Sequence, residues 1–142
     1  MQEITGTSNR ILEIDLTKRS FSVYNVDPRD TKLYIGGKGL ALKLLYDRME
    51  PGADPLGEDN IIAVTTGVLL GTGAPCSGRF AAVSKSPLTG IMTAASCGGA
   101  FGMALKTSGW DGILVKGKSK TPVYLYIDSK GAEFRDAKKI WG

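Results

Sequence analysis

The sequence predicts a β-rich α+β domain built from two similar repeats that are related by a pseudo-twofold axis. Three observations support this fold class. Apolar and polar residues alternate with a period of two in several segments, which is typical of strands buried on one face. The order of hairpin, double glycine, helix and buried strand occurs twice along the 142 residues. Glycine is abundant, with 19 residues, so turns and close backbone approaches are expected.

The first repeat opens with a hairpin and a short helix. Residues 12–16 alternate apolar and acidic side chains, which predicts a strand with one buried face, and a turn leads to a returning strand that ends near Val26. Asp27 and Pro28 have the pattern of a helix N-cap followed by proline at the first helical position. A short helix is therefore expected to extend to about Tyr34.

A double glycine at 36–37 separates this helix from a longer one. Over residues 40–49 apolar side chains recur at spacings of three and four, which predicts an amphipathic helix that ends at the Pro-Gly pair 51–52. A loop with further proline and glycine follows. The apolar run 61–65 then predicts a buried strand, which completes the first repeat.

The second repeat follows a glycine-rich connection at 67–78. A second hairpin is predicted over 79–95, and a double glycine follows at 98–99. A short helix is expected at 101–105, and the apolar run 113–115 predicts a buried strand. The second repeat thus has the same order of elements as the first, with a shorter helix.

Length and composition indicate one domain over residues 1–142, in which a last hairpin at 123–134 follows the two repeats. Hydrophobic residues make up 42% of the chain and charged residues 23%, which is enough apolar material for one core. The net charge of +4 favours anionic partners, but no basic run indicates nucleic acid. Residues 1–6 lack the pattern of a signal peptide, and no apolar run could span a bilayer, so no membrane partner is expected.

The absence of histidine excludes several kinds of active site. Neither a Ser–His–Asp nor a Cys–His nucleophile pair can be built, and imidazole ligands for zinc are excluded. The two cysteines, Cys76 and Cys97, cannot hold an iron–sulfur cluster alone, because such a cluster usually takes four thiolates. A lone pair is weak evidence for a disulfide, so we expect reduced thiols in a cytoplasmic protein.

The glycine-rich part of the second repeat contains the strongest candidate site. Arg79 follows a run of small residues, and a bend formed by Ser96, Cys97, Gly98 and Gly99 precedes the second predicted helix. Glycines before a helix expose backbone N–H groups, and an arginine adds planar donors, which together suit a phosphate or a pterin-like ring. The alternative is a pair of glycine turns beside a surface arginine, with Cys97 as a small buried packing residue. The residues alone leave both interpretations open.

Other polar and aromatic residues favour structural roles. Lys38, Lys43 and Lys106 could contact an anion, but lysines on helix surfaces are usually solvated. Trp110 and Trp141 are expected to be core or interface anchors. The acidic residues show no pair at a catalytic spacing.

The order of motifs along essentially the whole chain resembles the N-terminal domain of the tungsten-dependent aldehyde ferredoxin oxidoreductase family. No single motif is specific, but many occur in the same order. The matching segments are 10–17 (RILEIDLT), 35–40 (IGGKGL), 52–56 (GADPL), 73–75 (GAP), 78–80 (GRF), 84–90 (SKSPLTG), 98–102 (GGAFG), 105–106 (LK), 109–113 (GWDGI), 116–118 (KGK), 122–125 (PVYL), 135–137 (RDA) and 140–142 (IWG).

The resemblance implies a fold and a cofactor. It implies an α+β domain of two similar halves whose sheets form a base under a tungsten (or molybdenum) bis-pterin cofactor. By this resemblance Arg79 contacts the pterin, and the bend at Ser96, Cys97, Gly98 and Gly99 touches the cofactor largely through its backbone. The Ser96 carbonyl would lie near the magnesium ion that bridges the pterin phosphates. Ser96 departs from the asparagine that the family often has, so only a backbone contact carries over.

The resemblance also implies an activity for the intact enzymes of the family. They oxidise aldehydes to carboxylic acids and pass electrons through a [4Fe–4S] cluster to ferredoxin. The cluster cysteines and the later domains of the family lie beyond residue 142. This chain is therefore expected to be the tungstopterin-binding N-terminal domain alone, with no cluster, no catalytic residue and no side-chain ligand to the metal.

Several partners and two other functions stay open at this stage. The remaining domains of the enzyme and ferredoxin are the partners that the resemblance implies, and a homo-oligomer is a further arrangement. Alternatively, the chain is a free-standing binding module for a pterin or a phosphorylated small molecule, without catalysis. A third interpretation is a structural domain that mediates dimer contacts.

Overall fold

Residues 6–142, the part of the chain that the computed structural model describes, form eight strands and three helices. The strands are β1 (Arg10–Asp15), β2 (Ser20–Asn25), β3 (Ile61–Thr66), β4 (Phe80–Lys85), β5 (Met92–Cys97), β6 (Gly112–Lys116), β7 (Val123–Asp128) and β8 (Gly131–Asp136). The helices are α1 (Pro28–Tyr34), α2 (Gly37–Arg48) and α3 (Ala100–Thr107). Every predicted hairpin, helix and buried strand is present, so the predicted α+β class is confirmed.

Six strands form one mixed sheet in the order β2-β1-β6-β3-β4-β5. β1 pairs with β6 in parallel, and all other neighbours in this sheet are antiparallel. β7 and β8 form a separate antiparallel pair. Because β6 lies between β1 and β3, the strands of the two sequence repeats share a single sheet.

Helix α2 covers one face of this sheet. Its buried side chains are Leu40, Ala41, Leu44 and Leu45, which recur along one stripe of the helix. They pack against alternate residues of the central strands, namely Ile11, Ala63, Ala81, Val83 and Leu114. Burial of a large aliphatic side chain contributes about 1.5–3 kcal/mol, so this apolar cluster fixes α2 on the sheet.

The opposite face is covered by α3, Trp110 and the β7–β8 pair. Leu12 and Ile113 pack here with Leu105 of α3. Trp110 is fully buried, and its Nε1 donates a hydrogen bond to the carbonyl of Asp128 at 2.7 Å. Trp110 therefore attaches the β7–β8 pair to the main sheet, and its predicted role as a core anchor is confirmed.

The structure does not show the predicted pseudo-twofold axis. A pseudo-twofold axis would exchange β1 with β4, β2 with β5 and β3 with β6. This exchange reverses the order of strands in the sheet, as such an axis requires. However, the same exchange would make the β1–β6 pair equivalent to the β4–β3 pair, and the first pair is parallel whereas the second is antiparallel. In addition, α2 and α3 pack on opposite faces of the sheet. The two repeats share an order of elements but not a packing arrangement, because each helix buries its apolar stripe on a different face.

Two expectations concern the N-terminus and membranes. The stretch 1–5, most of the segment predicted not to be a signal peptide, lies outside the described residues. Within residues 6–142, no helix has the length and apolar character needed to cross a bilayer.

Candidate functional site

The residues of the predicted site meet at one end of the main sheet. β3 and β5 end there, and β4 and β6 begin there. Both helices that follow a double glycine also begin at this end: Thr65 Oγ1 donates to the Gly37 carbonyl at 2.7 Å, and α3 follows β5 directly. We define residues 36–37, 78–79 and 96–99 as the glycine edge.

Arg79 and the predicted bend are neighbours across the β4–β5 hairpin. Phe80 pairs with Cys97 in the strand register, so Arg79 and Gly98 are the next residues beyond the last pair. The carbonyl oxygen of Gly78 lies 4.0 Å from the position that a Cβ would take at Gly98. The structure thus brings the predicted residues together at one edge, while their role as cofactor ligands stays a prediction.

The backbone of Arg79 is fixed, but its side chain is exposed. Its N–H donates to the Ser77 carbonyl at 2.9 Å, and its carbonyl accepts from the Gly67 N–H at 3.4 Å. Arg79 takes part in none of the salt bridges found among the described residues. An exposed guanidinium on a fixed backbone offers planar donors to a phosphate or a carboxylate.

The bend lies next to the backbone of residues 78–79 and leaves N–H groups without a side-chain cap. Gly99 is the N-cap of α3 with φ of 98°, a conformation that L side chains rarely adopt. A Cβ at Gly99 would meet no atom within 4 Å, and the same holds for Gly37 and Gly78. Because a glycine N-cap has no side chain, the first-turn N–H groups of α3 stay uncapped, and the helix dipole adds partial positive charge. The edge is therefore open and suited to an anion.

Ser96 and Cys97 lie on opposite faces of the edge strand β5. Ser96 is exposed and pairs with Ala81, whereas Cys97 is half-buried and pairs with Phe80. Cys97 and Cys76 are both free thiols, as expected, but Cys97 is only partly buried, contrary to the packing role considered above. Over residues 6–142, no group of three or more His, Cys, Asp or Glu is arranged to hold a metal ion. The edge thus offers guanidinium and amide donors rather than a set of metal ligands.

A buried ion pair that the sequence did not predict lies at the C-terminal end of α3. The Lys106 ammonium contacts the Asp111 carboxylate, and these side chains are 11% and 4% exposed. Thr7 Oγ1 and Ser8 Oγ donate to the same carboxylate at 2.6 and 2.9 Å. Burial by itself would raise the pKa of Asp111, but the hydrogen bonds from these three side chains hold that pKa below its ordinary value.

The expectation that Lys106 is solvated was wrong. Lys106 is largely buried rather than solvated, and Lys43 forms an ion pair with Asp47 that raises the pKa of the lysine. The signal for the buried pair was the short spacing between Lys106 and Asp111 across a glycine turn. Trp141 is 69% exposed and is therefore not a core residue, while the interface role that the sequence also allowed stays a prediction.

A cavity of about 400 Å³ lies at the opposite end of the sheet and has the opposite charge character. Its charged lining consists of five carboxylates and two cations: Glu13, Asp15, Glu50, Glu58, Asp59, Arg48 and Lys116. Arg48 is already paired with Glu13 at 2.8 Å. A phosphate would be repelled by this lining, so the glycine edge is the better site for an anionic ligand.

Comparison with known proteins agrees with the predicted resemblance. A family model described as "Aldehyde ferredoxin oxidoreductase, N-terminal domain" matches residues 11–142. A protein named "Tungsten-containing aldehyde ferredoxin oxidoreductase" from Thermococcus kodakarensis is 44% identical over 137 residues, which is 96% of this chain and 23% of that protein. A protein of the same name from Pyrococcus furiosus is 43% identical over the same shares. The chain thus spans about a quarter of the length of these relatives.

A solved structure with a different activity in its name is also similar. The active site complex BamBC of benzoyl coenzyme A reductase, in complex with 1,5-dienoyl-CoA, matches with a TM-score of 0.92 and 39% identity. The match covers 96% of this chain and 21% of that chain. The same fold is therefore found in proteins named for different reactions.

Proposed function

We propose, since this chain belongs to the aldehyde ferredoxin oxidoreductase family, that it is the cofactor-cradling N-terminal domain of a tungsten (or molybdenum) bis-pterin oxidoreductase. The intact enzyme oxidises aldehydes to carboxylic acids and transfers the electrons to ferredoxin. In this proposal, residues 1–142 form one domain whose task is to bind and orient the cofactor. The names of the relatives support tungsten as the metal.

The observation that carries the proposal is the open glycine edge with Arg79 beside it. A Cβ at Gly78 or Gly99 would project into space that no protein atom occupies, so a ligand can approach the backbone closely. The Arg79 guanidinium would donate to the pterin phosphates, and the backbone around Gly98 and Gly99 would donate N–H groups to the same anion. The Ser96 carbonyl would face the bridging magnesium ion.

The cofactor supplies the redox chemistry when bound, and the chain supplies orientation and charge complementarity. Arg79 and the uncapped N–H groups of α3 neutralise phosphate charge and fix the pterin on the edge. Among residues 6–142, neither Cys97 nor Cys76 belongs to a group of three or more possible metal ligands, and a cluster usually takes four thiolates, so in this proposal other segments would hold the [4Fe–4S] cluster of the intact enzyme. The chain alone is therefore inactive in this proposal.

The partners follow from the same proposal. The remaining domains of the enzyme would cover the glycine edge, and ferredoxin would accept electrons from the intact enzyme. A cytoplasmic location and assembly into a homo-oligomer remain part of the prediction made from the sequence.

A second candidate function is a related reductase that acts on another substrate. The similarity to the benzoyl coenzyme A reductase complex favours it, because that match is as complete as the match to the aldehyde enzymes. The glycine edge would bind the same kind of cofactor in both cases. Substrate choice would then be determined by residues outside this domain.

The experiment that tests the proposal compares two exposed arginines. The protein that carries this chain is purified with its metal as wild type, as Arg79→Ala, and as the control Arg29→Ala, an exposed α1 residue that also forms no salt bridge among residues 6–142. Tungsten, molybdenum and pterin are measured per chain, together with viologen-linked aldehyde oxidation.

Loss of charge-assisted hydrogen bonds to the phosphates should reduce the cofactor content of Arg79→Ala at least about tenfold, with no change in the control. Equal cofactor content in all three proteins would overturn the assignment of the site. Pterin bound by a wild-type protein without any redox activity would support the free-standing binding module instead.

A further inference from the structure

Helix α3 is held by few apolar contacts, although its N-terminal bend forms part of the glycine edge. Only Gly102 and Leu105 of its eight residues are buried. Phe101 and Met103 are 48% and 41% exposed. Leu105 is thus the one fully buried apolar side chain of α3, and because apolar burial is non-directional, it leaves the position of α3 along its axis weakly defined.

The buried ion pair fastens the other end of α3. Lys106 is in the last turn, and Asp111, its partner, directly precedes β6. The Asp111 carbonyl accepts hydrogen bonds from Thr66, through the backbone N–H at 2.8 Å and through Oγ1 at 3.0 Å. The Asp111 backbone N–H donates to the Arg10 carbonyl at 2.8 Å. Asp111 is therefore fixed to both β1 and β3, and through Lys106 it fixes α3 to the same strands.

A chain of close contacts connects this pair to Arg79. Gly102 lies one turn before Lys106 on the same side of α3, and a Cβ at Gly102 would be 3.1 Å from the Phe80 ring and 3.2 Å from Leu70. The rings of Phe101 and Phe80 are 5.3 Å apart at their centroids. Phe80 directly follows Arg79 in β4. The position of α3 is thus coupled, through Phe80, to the backbone that carries Arg79.

We propose that Asp111 is a positioning residue for cofactor binding: through Lys106 it fixes α3 along its axis and holds the N–H groups of the Gly98–Gly99 bend beside Arg79. This inference rests on the proposed function of the glycine edge. A well-packed apolar pair would give similar stability, because ion pairs lose hydration on burial. The charged hydrogen bonds of Asp111 instead provide directional constraint, which non-directional apolar contacts lack.

The test compares two ion-paired aspartates in the protein that carries this chain. Asp111→Asn removes the charge of the buried pair, and Asp47→Asn does the same for the more exposed pair with Lys43 on α2. Amide hydrogen exchange is followed at residues 98–102, and tungsten and pterin are measured per chain. We expect Asp111→Asn to accelerate exchange there about tenfold or more and to lower cofactor content by a similar factor, while Asp47→Asn changes neither.

A double variant separates positioning from stability and covers the case in which Asp111→Asn does not fold. Lys106→Met combined with Asp111→Leu replaces the pair by apolar side chains of similar size. The proposal predicts that this variant unfolds at a temperature close to that of the wild type, yet exchanges faster at residues 98–102 and binds less cofactor. The positioning role would be overturned if this variant had the same amide hydrogen exchange at residues 98–102 and the same cofactor content as the wild type.

The outcomes distinguish this proposal from the proposed function. If Arg79→Ala loses cofactor while both pair variants keep it, the positioning role is wrong and the glycine edge remains the site. The alternative outcome is that amide hydrogen exchange at residues 98–102 is faster in both variants of the Lys106–Asp111 pair while these variants and Arg79→Ala all keep the wild-type cofactor content. In that case the glycine edge is not the cofactor site. The positioning role for cofactor binding then fails with it.

Discussion

Helices α2 and α3 both follow a double glycine at the same end of the sheet, but they are held in different ways. α2 has 12 residues and buries four apolar side chains against the central strands. α3 has 8 residues, of which only Gly102 and Leu105 are buried, so it buries one apolar side chain and is fastened by the Lys106–Asp111 pair. The glycines give both helices uncapped N-termini, so the difference lies in what fixes the rest of each helix.

This difference shows how one sequence pattern can serve two purposes. A helix with a wide apolar stripe is fixed by burial, and its exact position matters little beyond the packing of that stripe. A short helix that must present its N-terminus at a defined place needs directional bonds. α2 is therefore expected to dominate stability, and α3 is expected to dominate the geometry of the glycine edge.

The largest expected effect on stability is in α2. Leu44 is fully buried in the cluster beneath the helix, so Leu44→Ala should lower the free energy of unfolding by about 2–5 kcal/mol through lost burial and a cavity. Leu42, which is 36% exposed on the same helix, is the matched control, and Leu42→Ala should cost about 0.5 kcal/mol or less. Urea unfolding measures both. Equal effects at the two positions would show that α2 is not fixed by its apolar stripe.

A smaller effect with a characteristic pH dependence is expected in α3. Lys106→Met removes charged hydrogen bonds from a buried carboxylate and should cost about 1.5–3 kcal/mol near neutral pH. In the wild type the pKa of Asp111 lies below its ordinary value of 3.8, so the pair stabilises the protein above that pH and loses this effect as the pH falls through the lowered pKa.

In Lys106→Met, burial without the ammonium should raise the pKa of Asp111, so the variant loses stability as the pH rises through that pKa. The difference in unfolding free energy between wild type and variant should therefore grow as the pH rises from below the ordinary carboxyl value of 3.8. Unfolding curves at several pH values measure it. A constant difference over this rise in pH would mean that the ion pair does not determine the effect.

The smallest effects concern the glycine that follows the double glycine in each repeat, Gly39 in α2 and Gly102 in α3. A Cβ at Gly39 in α2 would lie 2.6 Å from the backbone carbonyl oxygen of Tyr34, whereas a Cβ at Gly102 in α3 would meet only the side chains of Phe80 and Leu70 at 3.1 and 3.2 Å. Side chains can shift more easily than backbone. In both helices alanine gains up to about 1 kcal/mol of helix propensity over glycine. The clash with backbone at Gly39 should outweigh this gain, so that Gly39→Ala destabilises the protein by about 1–2 kcal/mol, whereas Gly102→Ala should destabilise it less. Thermal unfolding would refute this order if Gly102→Ala were the more damaging change.

The elements could be predicted from sequence because their signals are local. Alternation in β1 and the spacing of apolar residues in α2 depend only on neighbouring residues. Pairing is not local: β1 lies parallel to β6, about a hundred residues later, and nothing in either strand specifies that direction. A repeated order of elements likewise does not determine strand direction or the face of the sheet that each helix covers. The predicted pseudo-twofold axis is therefore not found in the structure.

The candidate site was predictable in part. Arg79 and Gly98 were identified from glycine patterns and from the family resemblance, and the β4–β5 register brings them together. The Lys106–Asp111 pair was missed because isolated lysines on a helix are usually solvated, and burial depends on the strands that surround them. Thr7 and Ser8 join that pair across about a hundred residues of sequence, which no local pattern indicates.

The most direct test of the central claim is a crystal structure of the protein that carries this chain with its metal–pterin cofactor bound. We predict that the pterin phosphates lie within hydrogen-bonding distance of the Arg79 guanidinium and of N–H groups in the 98–102 segment. A cofactor seated at the opposite end of the sheet, against the carboxylates of Glu13 and Glu58, would contradict the account.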